Sequence, residues 1–296
     1  MKALKNLKKK ALLMLGSLFL LPAAQAAEPT TAFFEMKANG ISYRIFTATP
    51  TEAAPENGYP VIYMVDGNRM LPMASKLMAE NAKLKAVVVG IGYPTQDKDE
   101  IVKLRYFDFT PPTPQEAIAG RSSDVKTGGR DAFFDFIENQ VKPEIEKRFH
   151  IDTSKQALFG HSLGGLFTLY AMFNHTDRFQ TYAAADPSIW WNERSILKDK
   201  DRFVKAFTAS PQPIRLLVEA SGKRIRHPGQ TAKDVERIRK LRGGPSGKDV
   251  YDELSKLPQM DAAFHRFDDE NHGSMIPLSV SDSLNFILLG QNPQKN

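Results

Sequence analysis

Gln156-Ala157-Leu158-Phe159-Gly160-His161-Ser162-Leu163-Gly164-Gly165-Leu166-Phe167 decides how the rest of the chain is read. Its first four residues read as a strand, and from Leu163 to Phe173 the pattern is that of a helix. Between them stands Gly160-His161-Ser162-Leu163-Gly164, a G-x-S-x-G pattern. A serine on so sharp a strand-to-helix bend needs a strained backbone, and the flanking glycines leave room for it. The bend lifts the hydroxyl out of the C-terminal edge of a sheet. The helix behind it offers free N–H groups and the positive end of its dipole. Ser162 is thus placed as a nucleophile, with the Leu163 N–H as a donor to the oxyanion. A bare G-x-S-x-G also arises in glycine-rich turns. Strand, bend and helix in this order favour the catalytic reading.

Outward from this bend, further apolar runs recur. Val61 to Val65, Ala86 to Ile91, Ala183 to Ala185, Ile214 to Val218 and Ala262 to Phe267 read as strands buried on both faces. Phe33 to Lys37 and Ile41 to Thr47 flank Asn39-Gly40, a hairpin signal. Helical spacing falls over Asp131 to Arg148, with Pro143 expected to kink it, and over Asp234 to Leu241 and Ile276 to Leu289. Pro50 to Gly58, Pro94 to Glu100 and Pro111 to Gly129 read as loops, the last long enough to shape a cleft. Strands alternating with helices predict an α/β domain with a doubly wound, mostly parallel sheet. A second oxyanion donor should come from the loop after Val65, from the N–H of Gly67 or Asn68.

A serine nucleophile needs a base, and in this strand order the base follows the acid and the last strand. Of the six histidines, His150 and His161 precede the serine, and His175 sits at the end of the elbow helix. His227 lies in a basic loop and His265 inside a strand. His272, in Asn271-His272-Gly273, falls between the last strand and the last helix and is the expected base. The acid should follow Ile214 to Val218, yet Ala220 to Gln230 contains no carboxylate. Glu219 is the nearest candidate. Asp234 and Glu236 lie further on, and Asp268, Asp269 and Glu270 precede the histidine. A Ser-His dyad without an acid is the alternative.

The ends of the chain and its composition bound the rest. Residues 1–26 read as a secretory signal: Lys2, Lys5, Lys8, Lys9 and Lys10, an apolar Ala11 to Leu21, then Ala24-Gln25-Ala26. The expected organisation is that signal followed by one catalytic domain over 27–296, exported to the periplasm, with no membrane insertion once the signal is removed. Five of the 40 Lys and Arg lie in the signal and none of the 34 Asp and Glu does, which leaves the remainder at +1. Nothing in that balance argues for nucleic acid. The absence of cysteine excludes disulfides, thiol catalysis and Cys-ligated zinc. There is no H-E-x-x-H, and the chemistry expected here calls for no cofactor and no metal.

These residues resemble the esterase D superfamily of the α/β-hydrolase fold, and within it the periplasmic catecholate-siderophore trilactone esterases that act on enterobactin and salmochelin. The likeness rests on Val61 to Asn68, Arg105 to Pro111, Gly128 to Phe133, Leu158 to Phe167, Asp186 to Asn192 and Asn271 to Gly273. It implies hydrolysis of the ester backbone of a small anionic siderophore for iron release, by Ser162 and His272. Arg105 would contact a catecholate, and Trp190 and Trp191 would line the aromatic part of the cleft. One departure is Asp186, where the family often carries a small Ser before Pro-Ser. A charge argument points the same way: Ser221 to Arg242 holds eight basic residues against two acidic ones, a net +6 beside the expected site. The rival readings are a general exported carboxylesterase or acyltransferase, and a siderophore-binding protein without activity.

Overall fold

Asn39 and Gly40 both take positive φ, 51° and 77°. That is what an Asn-Gly turn requires, and it closes β1 (Thr30–Ala38) and β2 (Ile41–Thr49) as an antiparallel hairpin. The computed structural model describes residues 27–118, 125–207, 213–224 and 231–293, so the signal expected over 1–26 lies outside the described residues. Next to the hairpin, β2 pairs antiparallel with β4 (Val87–Gly92). From there β3 (Tyr59–Val65), β5 (Ile151–His161), β6 (Thr181–Ala185), β7 (Ile214–Lys223) and β8 (Met260–Asn271) run parallel. The order across the sheet is β1-β2-β4-β3-β5-β6-β7-β8. This is the α/β-hydrolase arrangement.

Period-two alternation explains why the central strands are apolar throughout. Val61, Tyr63 and Val65 enter one core, and Ile62 and Met64 the other. One core is covered by α1 (Gly67–Glu80) and α9 (Ile276–Leu289). The other is covered by α2 (Lys98–Phe109), α3 (Arg130–Phe136), α4 (Lys142–Arg148), α5 (Leu163–Asn174), α6 (Ile196–Ala206) and α8 (Gly247–Leu254). Each fully buried aliphatic or Phe side chain contributes roughly 1.5–3 kcal/mol. From Leu163 to Phe173, α5 is buried all round. No helix among the described residues is long and apolar enough to cross a membrane.

Pro143 interrupts its helix as expected: a π turn over Ile137–Val141 separates α3 from α4, with the proline in the first turn of α4. Two helices differ from the sequence expectation. α1 starts inside the segment expected as a loop and tolerates Pro72. α2 buries Asp108 and Phe109, with Ile101, Leu104 and Tyr106 only partly buried against the core, so its apolar face is weakly marked. α7 (Ala232–Arg242) occupies the basic segment.

α2 is also anchored by polar contacts. Asp108 accepts from the Tyr93 hydroxyl at 2.8 Å and from the Tyr43 hydroxyl at 3.1 Å. Burial pushes its carboxyl up from 3.8 to about 7, against the pull of those two donors. In the unfolded chain this group ionises near its ordinary value. The folded chain therefore holds the extra proton between about pH 4 and pH 7, and stability falls as pH rises through that window. The linkage amounts to at most about 4 kcal/mol. Asp108→Asn, which has nearly the same shape, keeps one acceptor oxygen and cannot ionise, is expected to remove that part of the pH dependence. Thermal unfolding of both proteins from pH 4 to 8 checks this. A difference between them that is flat with pH contradicts it.

Candidate active site

Parallel register carries the chain to its functional edge. His161, Ala185, Glu219 and His265 lie side by side across β5, β6, β7 and β8. One residue further on, Ser162 turns out of β5 with φ 63° and ψ −117°, outside the helical and strand regions. Its N–H donates to the Ala185 carbonyl at 2.9 Å, and its own carbonyl accepts from Ser188 N–H at 3.0 Å. The two glycines of the elbow are steric necessities: a Cβ on Gly160 would come within 2.2 Å of the Gly164 carbonyl oxygen, and one on Gly164 within 2.7 Å of the Val65 side chain.

β8 runs to Asn271, so His272 hangs over the sheet edge and points back at the elbow. Its Nε2 lies 2.9 Å from Ser162 Oγ. Its Nδ1 lies 2.6 Å from Asp186 Oδ2. The network assigns the tautomer: Nδ1–H donates to the carboxylate, and Nε2 accepts the serine proton. Asp186 also accepts from Ser221, from the hydroxyl at 2.7 Å and from the N–H at 3.2 Å. Burial alone would raise its pKa, yet the bonds from His272 and Ser221 hold it below the usual carboxylate value. Asp186 is therefore ionised at neutral pH and is the group that orients the imidazole.

This corrects the expectation for Glu219, and the reason is the strand period. Glu219 is the last level residue of its strand, beside Ala185. Its neighbour Leu217 on the same face lies in the core under α9, and Glu219 points there too. It is fully buried with neither carboxylate oxygen bonded, and burial together with Asp282 and Asp186 raises its pKa far above normal. The acid comes from the end of β6 instead, one step past the alternation, where φ of 41° turns Asp186 toward His272. The dyad alternative does not describe this geometry. Asp268 and Asp269 are exposed and paired with Arg266 and Lys223.

His161 packs behind the base, its ring centre 4.5 Å from that of His272. Burial and the neighbouring imidazole hold its pKa down to about 3, so it is neutral. Ser188, which the sequence reading did not single out, is buried with its Oγ 3.4 Å from Ser162 Oγ.

The expected oxyanion donors sit at the same edge. α5 opens at Leu163 and α1 at Gly67, on adjacent strands, and a Cβ on Gly164 would stand 3.5 Å from Asp66. The side chain of Asn68 is committed elsewhere, clamped onto the Tyr93 main chain by two 2.8 Å bonds. Arg105, expected on a catecholate, forms a bidentate pair with Asp66, its Nη2 2.9 Å from Oδ2. It braces the loop that begins α1. Trp191 is buried, donating from Nε1 to Thr113 Oγ1 at 3.0 Å, so it packs rather than lines. Trp190 is half-buried with its ring 5.7 Å from that of Trp191. In the basic segment, Lys223 pairs with Asp269 and Arg239 with Glu236. His227 and Arg226 lie outside the described residues.

Comparison with known proteins places the chain among esterases. A family model described as "Putative esterase" matches residues 38–224. The ferri-bacillibactin esterase BesA of Bacillus subtilis is 36% identical over 264 residues, 85% of this chain and 86% of its own. The structure of the BES protein from Bacillus cereus superposes with a TM-score of 0.72 at 30% identity, covering 90% of this chain and 99% of that one. The enterobactin hydrolase IroE, solved in complex with the serine-hydrolase inhibitor DFP, gives a TM-score of 0.61 at 25% identity, with 92% and 96% covered.

Proposed function

Since the chain belongs to this esterase family and is a serine ester hydrolase, we propose that it cleaves the trilactone backbone of an iron-binding catecholate siderophore in the periplasm. The hydrogen-bonded series Ser162–His272–Asp186 carries the reading. Relatives that bear siderophore esterase names support the substrate class. The leader-like residues 1–26 support export.

The steps follow from the contacts. Ser162 Oγ attacks a lactone carbonyl while its proton passes to His272 Nε2. The imidazolium is stabilised by Asp186 across the 2.6 Å contact. Negative charge on the tetrahedral oxygen is met by first-turn N–H groups of α5 and α1 at Leu163 and Gly67. The C–O bond of the ester breaks, and His272 returns the proton to the leaving alkoxide. Water, deprotonated by the same nitrogen, then splits the acyl-enzyme to a carboxylate and regenerates the serine. A cyclic triester is thereby opened to a linear acid.

The test compares substrates. A panel of iron-loaded and iron-free siderophores, with products weighed by mass spectrometry, is set against p-nitrophenyl acetate. The expected kcat/KM is at least about 100-fold higher on a catecholate trilactone, or roughly 2.7 kcal/mol of differential transition-state binding. Equal turnover of the two makes the protein a general carboxylesterase.

A further inference from the structure

Beneath the catalytic acid, on the α9 face of the sheet, three titratable side chains converge that the hydrolysis does not use. Glu219 of β7 and His265 of β8 are cross-strand partners. Asp282 comes down from α9. Their ligand atoms all lie within 4.8 Å of one another. His265 Nδ1 is 2.5 Å from Asp282 Oδ2. Glu219 is 0% exposed, and neither of its oxygens has a partner. A buried carboxyl with both oxygens unbonded is costly unless something not yet counted binds it.

We propose that Glu219, His265 and Asp282 bind one divalent transition-metal cation, of the Zn2+ or Mn2+ class, that ties β7, β8 and α9 together. The donor set is one imidazole nitrogen and carboxylate oxygens, which suits these ions. The charges close: two carboxylates and a neutral imidazole balance a 2+ ion, leaving no net charge in the buried space. His265 Nδ1 and Asp282 Oδ2 already face each other at 2.5 Å, so an ion held between them and Glu219 takes the place of the proton they share. The His265 and Asp282 side chains are 31% and 24% exposed, which gives an ion and its waters a way in. The role is structural. The Glu219 carbonyl accepts from Asp186 N–H at 2.9 Å, and β8 ends at the base, so the ion stiffens the edge that holds the triad. No motif announces such a site, because its ligands come from three separate elements.

The experiment needs no activity. Purified protein is stripped with chelator and titrated with ZnCl2 and with MnCl2 by calorimetry, and thermal unfolding is followed in parallel. One ion per chain is expected to bind and to raise the unfolding temperature. Asp282→Asn, which removes a charged ligand, should weaken binding by more than the roughly 100-fold that loss of an outer-shell partner costs. Glu219→Gln and His265→Gln should abolish it. The triad itself brings His161, Asp186 and His272 within ligand distance of one another, so a signal that survives in Glu219→Gln belongs there. Either that result, or no binding of both metals to the parent protein, overturns the proposal. In the second case Glu219 simply keeps a proton, and Glu219→Gln matches the parent in stability with or without metal.

Discussion

Ser162→Ala is expected to lower kcat by roughly 10⁶-fold while leaving KM for the siderophore nearly unchanged. The hydroxyl is the only atom removed, and no neighbour can replace it. Ser188 Oγ is 3.4 Å away but buried, and His272 Nε2 is aimed at the Ser162 Oγ position, from which it stands 2.9 Å. What remains should be the contribution of the oxyanion donors and of binding alone. A fluorophosphonate probe should label the parent protein at Ser162 and leave the variant untouched. Single-turnover kinetics with either ester class supplies the rate. Activity within about 100-fold of the parent would remove Ser162 from the mechanism.

The second large effect separates the two candidate acids. Asp186→Asn should cost roughly 10²–10⁴ in kcat, because an amide at this place cannot hold the Nδ1–H tautomer or stabilise the imidazolium. Ser221, which donates two bonds to the carboxylate, would be left facing a weaker acceptor. Glu219→Gln leaves every hydrogen bond of the triad in place, so its loss should be at least about 100-fold smaller than that of Asp186→Asn. Measuring kcat for both variants on one substrate decides the matter. If the glutamate variant is the crippled one, the acid has been assigned wrongly. Asp186→Ser, which takes the carboxylate away, shows how much a dyad alone achieves in this framework.

The serine and the base were legible in the sequence because each is announced locally. Gly160 and Gly164 mark the elbow, and Asn271-His272-Gly273 follows the last apolar run. The hairpin and the central strands were legible for the same reason. The acid was not, because its identity turns on one step of register. Glu219 and Asp186 stand at neighbouring strand ends, and a single residue decides whether a side chain meets the core or the cleft. α1 and α2 escaped notice for a different cause. One carries a proline and starts at a glycine, and the other is held by Asp108 and Arg105 beside a weakly marked apolar face.

Placing the acid at the end of β6 frees the segment that follows β7 from any duty in proton transfer. Substitutions or changes of charge there leave the hydrogen bonds of Ser162, His272 and Asp186 as they are. Selection can then edit that stretch of chain while the proton path, carried by the ends of the neighbouring strands, stays as it is.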